Sequence, residues 1–221
     1  MSSAKPSPVA LRPMLAALTL AASASAAATT LDFAGNICDL AGGVCGAGSY
    51  IKENYGDIAG VLDVQYLNLI GEPGITQLRY WPDSYSDLFG VAWTSGGDLN
   101  SRAEIFLKPL NGGSVTLNGF DLGSWPTTSH NTQVSVLDGD GNLLFDSGAI
   151  SINGAVHSHF GFTTVASASG IRIQWGPSAY NVGIDNIDFG LSNLAPVPLP
   201  APAWLLGGGL LTLAARRRRT A

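Results

Sequence analysis

The chain has 221 residues, of which 46% are hydrophobic and only 12% are charged, and its formal net charge is −5. Residues 29–193 contain all 16 acidic residues but only five of the 11 Lys and Arg residues, so this central part has a formal charge of −11. Such a charge argues against nucleic acid as a partner, because an acidic surface repels phosphate backbones. The length allows one domain with one substantial core.

The first 28 residues have the order of a secretory signal peptide. Lys5 and Arg12 precede a short apolar run, and small residues follow it. We favour cleavage after Ala28, because the mature chain would then begin just before the first strand-like residues. A membrane-spanning helix is the alternative, but the apolar run is too short for one. The sequence therefore predicts a signal peptide over residues 1–28 and an extracytoplasmic domain over residues 29–193.

The chain contains only two cysteines, Cys38 and Cys45, which lie near the start of this domain. Exported segments meet an oxidising environment, so we predict a disulfide that closes the small Gly-rich loop between them. Two thiols alone would leave a metal ion incompletely coordinated.

Short runs of alternating apolar and polar residues, bounded by Gly, Asn, Asp and Pro, occupy the domain, and no long helical period occurs. Each run predicts a strand with one face in the core, as in residues 62–66, 104–108, 115–118 and 171–175. Two runs flank the turn sequence Asp-Gly-Asp-Gly-Asn at residues 138–142, which predicts a β-hairpin. Roughly eight to ten strands at this spacing predict an all-β fold, an antiparallel β-sandwich with jelly-roll topology.

Three pieces of the domain, residues 115–123, the hairpin and residues 182–189, resemble the galactose-binding-like jelly rolls of many carbohydrate-binding modules. The resemblance implies a structural calcium ion with a ligand in the last strand, and Asp185 is our candidate. Strand alternation places Asp185 on the side of Ile187 and Phe189, where a charge needs a metal ion or several hydrogen bonds. A β-bulge that turns Asp185 to solvent is the alternative.

A second calcium motif is less well formed. Asp138, Asp140 and Asn142 have the alternate oxygen spacing of a calcium loop. Leu143 occupies the position of the required Gly, and no Glu follows before the end of the chain. A hairpin turn is therefore the preferred interpretation.

No catalytic motif is evident in the sequence. There is no Gly-x-Ser-x-Gly elbow and no cysteine beyond the predicted disulfide. His157 and His159 share a strand face that would suit two metal ligands, but no third ligand is adjacent, so an exposed strand face is favoured. A pair of catalytic carboxylates among the 16 acids is compatible with the sequence, because the distances between these acids cannot be read from it.

Aromatic residues in polar loops are the best candidates for ligand binding. Trp81 and Tyr85 lie in one such segment, and Trp175 and Tyr180 lie in another, both beside Asp, Ser or Asn. Rings next to hydroxyl and amide groups are typical of sugar sites, which combine stacking with hydrogen bonds. The alternative is that these rings cover the core beneath long loops.

The last 28 residues contain three features in order. Residues 194–202 are rich in Pro, which makes them stiff and extended. Residues 199–215 carry no charge and would be about 25 Å long as a helix, slightly short of a hydrocarbon core of about 30 Å. Trp204 suits a membrane interface, and the terminal Arg cluster should stay cytoplasmic.

This order resembles the PEP-CTERM sorting signal of Gram-negative bacteria, which exosortase enzymes process. The common motif is Val-Pro-Glu-Pro, and here a Leu replaces the Glu, as in a Val-Pro-Leu-Pro-Ala subclass. The resemblance implies transient anchoring in the inner membrane, followed by release to the cell surface or medium. A plain membrane anchor is the alternative. The residues that carry the resemblance are Val197, Pro198, Leu199, Pro200, Ala201, Arg216, Arg217, Arg218 and Arg219.

Three functions fit the sequence. The first is a non-enzymatic surface or extracellular-matrix protein that associates with exopolysaccharide through its β-sandwich. The second is an extracytoplasmic polysaccharide hydrolase with a carboxylate pair, and the third is a purely structural or adhesive surface protein. The absence of a catalytic motif favours the first and third.

We predict that replacing both Pro198 and Pro200 with Ala leaves export intact but blocks processing of the tail, because the stiff segment presents the bond to be cut at the outer face of the membrane. The uncut protein should accumulate in the inner membrane, as cell fractionation and immunoblotting would show. Deleting residues 216–219 should instead weaken retention and orientation. A mature protein that still ends at Ala221 in the inner membrane would support the plain anchor instead.

Overall fold

The computed structural model describes residues 28–35, 37–38, 45–97 and 100–192. These residues form eleven β-strands. The predicted signal peptide and sorting tail lie outside the described residues, within which no helix long and apolar enough to cross a membrane is found. The strands are β1 (Ala28–Leu31), β2 (Leu62–Ile70), β3 (Arg79–Trp81), β4 (Val91–Trp93), β5 (Arg102–Pro109), β6 (Ser114–Ser124), β7 (His130–Asp138), β8 (Leu143–Ile152), β9 (Ser158–Ser167), β10 (Ile171–Trp175) and β11 (Val182–Ser192).

The strands form two antiparallel sheets, so the predicted antiparallel β-sandwich is confirmed. One sheet has the order β3-β4-β11-β6-β9, and β1 also pairs with β11. The other has the order β2-β5-β10-β7-β8. The alternating runs noted in the sequence lie in β2, β5, β6 and β10.

The core lies between the two sheets and follows the predicted alternation. In β10, for example, Ile171, Ile173 and Trp175 are buried, whereas Arg172 and Gln174 between them are only partly buried. Burial of each such apolar side chain contributes about 1.5–3 kcal/mol relative to exposure. Alternation therefore places one complete face of each central strand against the opposite sheet.

The predicted hairpin connects β7 to β8. Asp138 Oδ1 accepts hydrogen bonds from the backbone N–H groups of Asp140, at 3.0 Å, and Asn142, at 2.8 Å. Gly141 has a φ of 89°, a conformation that glycine adopts without strain. The carboxylate that could have served a calcium loop is therefore used to close the turn.

The predicted disulfide joins Cys38 to Cys45, whose Cα atoms are 5.5 Å apart. Cys38 also forms an antiparallel bridge with Ile51, and both residues are buried. The disulfide therefore fixes the connection between β1 and β2 to the core.

Both ends of the described chain lie at one end of the sandwich. Ala28 pairs with Gly190, and Ser192 pairs with Ser114. The opposite end of β11 begins at Val182, which pairs with the last residue of β6. Because β11 is an extended strand of 11 residues, the two ends of the sandwich are about 30 Å apart.

A buried ion pair lies on the outer face of the five-stranded sheet. Glu104 is 2% exposed, and its two carboxylate oxygens each lie 2.6 Å from a donor, one on Arg172 and one on Gln174. The Arg172 guanidinium also lies 3.9 Å from the centre of the Phe106 ring. Removing the guanidinium would leave a buried carboxylate with one partner fewer.

We predict that Arg172→Met lowers the free energy of unfolding by about 2 kcal/mol, because it leaves the buried Glu104 carboxylate without its cation. Breaking a fully buried pair costs about 3–5 kcal/mol, and the loss here is smaller because Arg172 is partly exposed. Urea denaturation would measure the loss. The matched control is Lys108→Met, since Lys108 lies 3.9 Å from Asp63 in an exposed pair. The control should change stability by less than about 0.5 kcal/mol. Equal effects of the two variants would contradict the prediction.

Candidate functional site

Five aromatic side chains meet at the end of the sandwich farthest from the described chain ends. Trp81 and Trp93 end β3 and β4, Tyr85 lies in the loop between these strands, Trp125 follows β6, and Tyr180 precedes β11. Together they line a pocket of about 40 Å³. We call these five residues the aromatic cluster.

The rings of the aromatic cluster contact one another edge to face. The ring centroids are 5.8 Å apart for Trp81 and Trp93, and 6.1 Å apart for Trp81 and Trp125. Tyr180 completes the arrangement, at 5.2 Å from Trp93 and 6.4 Å from Trp125. Edge-to-face pairs at these distances are favourable, so the cluster is a packed unit and not a chance grouping of loops.

Two glycines let loop 82–90 lie directly on the outer face of the six-stranded sheet. Gly123 and Gly183 are paired neighbours on β6 and β11. A Cβ at Gly123 would lie 2.4 Å from the carbonyl oxygen of Tyr85, and one at Gly183 would lie 2.7 Å from a methyl carbon of Val91. A side chain at Gly123 would therefore lift the loop away from the sheet, and one at Gly183 would displace the Val91 side chain of β4 and the Tyr85 ring, which would lie 3.0 Å from the added Cβ.

Hydrogen bonds hold loop 82–90 in this position. The Tyr85 hydroxyl donates to the backbone oxygen of Tyr180 at 2.7 Å. Ser86 exchanges two hydrogen bonds with Ser124, and its hydroxyl donates to the backbone oxygen of Asn153 at 2.7 Å. The loop thus joins three separate segments of the chain at the aromatic cluster. Burial also raises the pKa of Tyr85 well above its usual value, so its hydroxyl stays protonated as a donor.

The aromatic cluster contains two unpaired hydrogen-bond donors. Trp93 is 7% exposed, and Trp81 is half-buried. Their Nε1 atoms are both buried and have no hydrogen-bond partner among the described residues. Such groups are rare in proteins, and each one costs about 1–3 kcal/mol unless something accepts its hydrogen bond.

The structure brings together three of the four aromatic residues proposed from the sequence. Trp81, Tyr85 and Tyr180 share the pocket. Trp175 does not, because it is 1% exposed in the core and its Nε1 donates to the backbone oxygen of Val182 at 2.7 Å. For Trp175 the interpretation as a core residue therefore fits the structure better.

Two members of the aromatic cluster were not recognised from the sequence. Trp125 precedes Pro126, just as Trp81 precedes Pro82, and this repeated dipeptide at a strand end could have identified it. Trp93 offers no such signal, because it ends an apolar run that is indistinguishable from a core strand.

A polar row lies on the same outer face of the six-stranded sheet. By register, Asp185 on β11 neighbours Asp121 on β6, which neighbours His159 on β9. Asp121 Oδ1 lies 2.7 Å from His159 Nδ1, and Asp121 Oδ2 accepts a hydrogen bond of 2.9 Å from the side chain of Asn186. The histidine face identified in the sequence therefore has an aspartate partner from another strand.

Asp87 connects loop 82–90 to this row. Its Oδ1 accepts a hydrogen bond of 2.7 Å from the backbone N–H of His157 and lies 2.8 Å from His157 Nδ1. These two contacts with His157 lower the pKa of Asp87, so this carboxylate stays ionised near neutral pH. His157 Nε2 in turn lies 3.8 Å from Asp121 Oδ1.

Asp185 lies at a β-bulge but remains buried. The pairing of β11 with β6 shifts register between Asp185 and Asp188, and Asn186 has a φ of 50°. Asp185 is nevertheless only 3% exposed, so the bulge does not turn it to solvent. Loss of solvation is the main reason that its pKa is raised to about 8; Asp121 and Asp32 add to the rise, and a hydrogen bond from the Asn186 N–H opposes it.

Two observations bear on the calcium ion expected at Asp185. Its Oδ1 accepts a hydrogen bond of 2.7 Å from the Asn186 N–H. Within residues 28–192, where the structure describes them, no group of three or more His, Cys, Asp or Glu side chains is arranged to hold a metal ion. Calcium at Asp185 stays a prediction from the family resemblance, and no property of the site is derived from it.

Asp121 and Asp185 lie apart from three pockets of the described residues. Besides the aromatic pocket, one pocket of about 290 Å³ lies along β2, and one of about 510 Å³ lies between β8 and β9. Neither Asp121 nor Asp185 belongs to the lining of any of the three.

We predict that Asp185→Asn stabilises the protein increasingly as pH rises from 5 to 8. The folded state holds the Asp185 proton up to a pKa of about 8, whereas the unfolded state loses it near the usual aspartate pKa of 3.8. The wild type therefore loses stability across this range, and the uncharged amide does not. Thermal denaturation at several pH values should show a gain of about 1–3 kcal/mol at pH 8 and little change at pH 4.

The control for this prediction is Asp138→Asn in the β7–β8 turn. Hydrogen bonds from Asn142 lower the pKa of Asp138, so its removal should not stabilise the protein at high pH. A pH-independent effect of Asp185→Asn would show that Asp185 is ionised in the folded state.

Comparisons with known proteins place the chain in no family. No family model matches the chain, and no curated protein matches it. Among solved structures, an arabinose-bound GH51 α-L-arabinofuranosidase is similar over 60% of this chain and 24% of its own, with 11% identity and a TM-score of 0.36. The enzymatically active domain of tailspike protein 4 of bacteriophage CBA120 is similar over 70% of this chain and 21% of its own, with 16% identity and a TM-score of 0.32.

Proposed function

We propose that this chain is an exported surface or extracellular-matrix protein that associates with exopolysaccharide through the aromatic cluster. The observation that carries the proposal is the pocket of about 40 Å³ lined by five aromatic side chains from four separate segments. Aromatic rings bind sugars because the C–H faces of a pyranose pack on them, while nearby polar groups pair with hydroxyls.

The exposure of the cluster supports this use. Trp81, Trp125 and Tyr180 are half-buried, so parts of their rings remain available at the surface. Exposed polar residues adjoin them in the chain, including Asp83 and Thr127. The charge of −11 on residues 29–193 favours a neutral glycan over one rich in carboxylate or sulfate groups.

The position of the cluster also supports the proposal. The described chain begins and ends at the end of the sandwich about 30 Å from the aromatic pocket. A sorting tail after residue 193 would attach at that same end, whether in the inner membrane or after exosortase processing. The pocket would then face away from the membrane and toward the extracellular matrix.

We infer further that the sandwich is a jelly roll. The strand orders β4-β11-β6-β9 and β5-β10-β7-β8 support this topology, because from β4 to β11 the chain alternates between the sheets except at the β7–β8 hairpin. Loops at the end of such a sandwich bring distant parts of the chain together, as they do in the aromatic cluster.

We predict that Trp125→Ala weakens glycan binding at least about tenfold, since a lost stacking ring and its pocket contacts are worth more than about 1.4 kcal/mol. A glycan array would first identify a ligand for the exported protein, and isothermal titration calorimetry would then compare the variants.

The matched control is Phe89→Ala. Phe89 is 80% exposed and lies in the same loop as Tyr85, but it does not line the pocket. It should bind like the wild type. If neither array glycans nor immobilised bacterial exopolysaccharides bind the folded protein, a purely structural or adhesive role would replace this proposal.

A further inference from the structure

We propose that the Pro-rich segment after β11, residues 196–202, docks along β9 as an additional edge strand of the six-stranded sheet. These residues lie outside the described part of the chain, whereas the surface that would receive them is described. The basis is the open side of the sandwich at β8 and β9, together with the pattern of prolines in the segment. Glycan binding is not required for this docking.

The sandwich is open on the side formed by β8 and β9. Each of these strands is the last of its sheet, so each has one side with no neighbouring strand among the described residues. Between them lies a groove of about 510 Å³, and its apolar lining consists of Leu144, Phe145, Phe160, Phe162 and Val165. We call these five residues the edge groove. Leu144 is 41% exposed and the other four are half-buried, so apolar surface remains in contact with water here.

The edge groove is packed against the core. The Phe162 ring centroid lies 5.8 Å from that of Phe120 and 5.2 Å from that of Phe145. The Phe160 ring stacks on Phe120 at 5.1 Å, and Phe120 is fully buried. The groove is therefore an uncovered margin of the core, and a segment that covers it gains by removing apolar surface from water.

Strand β9 lacks most of the features that protect an exposed edge. Natural edge strands often carry charged side chains or prolines, which discourage pairing with another strand. β9 contains no Asp, Glu, Lys, Arg or Pro. Its one protective feature is a bulge between Gly161 and Val165, beyond which residues 165–167 pair regularly with β6. This end of β9 is therefore best able to accept a further strand.

The described chain ends close to this part of β9. Ser192 pairs with Ser114 on β6, and the next residue of β6, Val115, pairs with Ser167. A position beside β9 is three strand spacings from β11, or about 14 Å. Residues 193–197 span up to about 17 Å when extended, so the segment can reach this position. The tether also raises the effective concentration of the segment at β9 to about the millimolar range.

The prolines of the segment alternate with residues that have a backbone N–H group. Proline occupies positions 196, 198, 200 and 202, and Val197, Leu199 and Ala201 lie between them. In an extended strand, alternate residues direct their N–H and C=O groups to the same side. All three donors would therefore face one side of the segment, and the prolines would face the other. Such a strand can pair on one side only, which is the requirement for the last strand of a sheet.

Charge favours this segment over a second copy of the chain. Pairing of β9 with β9 would bring together two domains that each have a formal charge of −11 on residues 29–193, and these would repel each other. Residues 196–202 carry no charge. By occupying the edge, the segment would also prevent β9 from pairing with other chains.

The test is hydrogen–deuterium exchange of the full exported chain, residues 29–221, purified in detergent and analysed by mass spectrometry over β9. Val197→Pro combined with Leu199→Pro removes two of the three donors but keeps the segment stiff, extended and uncharged. The amides at the free edge of residues 165–167 should exchange at least about tenfold faster in this variant than in the wild type, because they lose their partner strand.

The matched control is Pro198→Ala combined with Pro200→Ala. It also changes two positions of the segment, but it keeps all three donors and adds N–H groups on the opposite side. Exchange at the same amides should stay within about threefold of the wild type. Near-ultraviolet circular dichroism should be unchanged in both variants, because neither alters a described residue.

The other outcomes would each overturn the proposal. Equal exchange in the wild type and in the variant that lacks the two donors would show that the segment does not pair with β9. Protection that increases with protein concentration would assign the edge to a second copy, and protection that depends only on added lipid vesicles would assign it to a membrane surface. Each of these results leaves glycan binding by the aromatic cluster untouched, because that cluster lies at the other end of the sandwich.

Discussion

The contact between loop 82–90 and the paired glycines of β6 and β11 determines the arrangement of the outer face of the six-stranded sheet. Gly123 allows the backbone of Tyr85 to lie directly on β6, and Gly183 leaves room for the side chains of Val91 and Tyr85, with no space for a Cβ at either position. Once the loop lies on the sheet, Tyr85 reaches the chain before β11 and Ser86 reaches the end of β6. The edge strands β3 and β4 are then held with their tryptophans at the same place as Trp125 and Tyr180.

The polar row on this face contains a buried acid, Asp185. A residue on the outer face of a sheet is ordinarily in contact with water, and a carboxylate there is ionised. Asp185 is only 3% exposed, and its pKa is raised to about 8. The free energy of unfolding therefore falls as pH rises toward 8, because the buried acid binds its proton more tightly in the folded state than in the unfolded state. Asp87 and Asp121 contact histidine side chains, whereas Asp185 accepts a hydrogen bond from the N–H of the next residue, Asn186.

Local sequence patterns predicted the strands and the hairpin, but not the layer that covers the sheet. The alternation of apolar and polar residues in β2 and β10 predicts which side chains share a face. The turn at Asp138 is predicted from five consecutive residues. Tyr85 covers Gly123, which is 38 positions away in the sequence. A pattern of neighbouring residues therefore cannot predict this contact. Trp175 shows the same limitation, because a tryptophan before Gly-Pro can lie in a loop or end a core strand. The sequence marks Asp185 as a charged residue at an unexpected strand position. Only the structure shows that it lies at a β-bulge and remains buried.

The members of the aromatic cluster differ in burial, so they do not all play the same structural part. Tyr85 and Trp93 are buried and support the others, whereas Trp81, Trp125 and Tyr180 remain half-exposed. If packing alone determined these positions, phenylalanine at position 93 would fill much of the same space without an unpaired N–H. The chain instead retains buried indole donors at Trp81 and Trp93, each of which costs about 1–3 kcal/mol when unpaired. Packing alone therefore does not explain why indoles occupy these two positions.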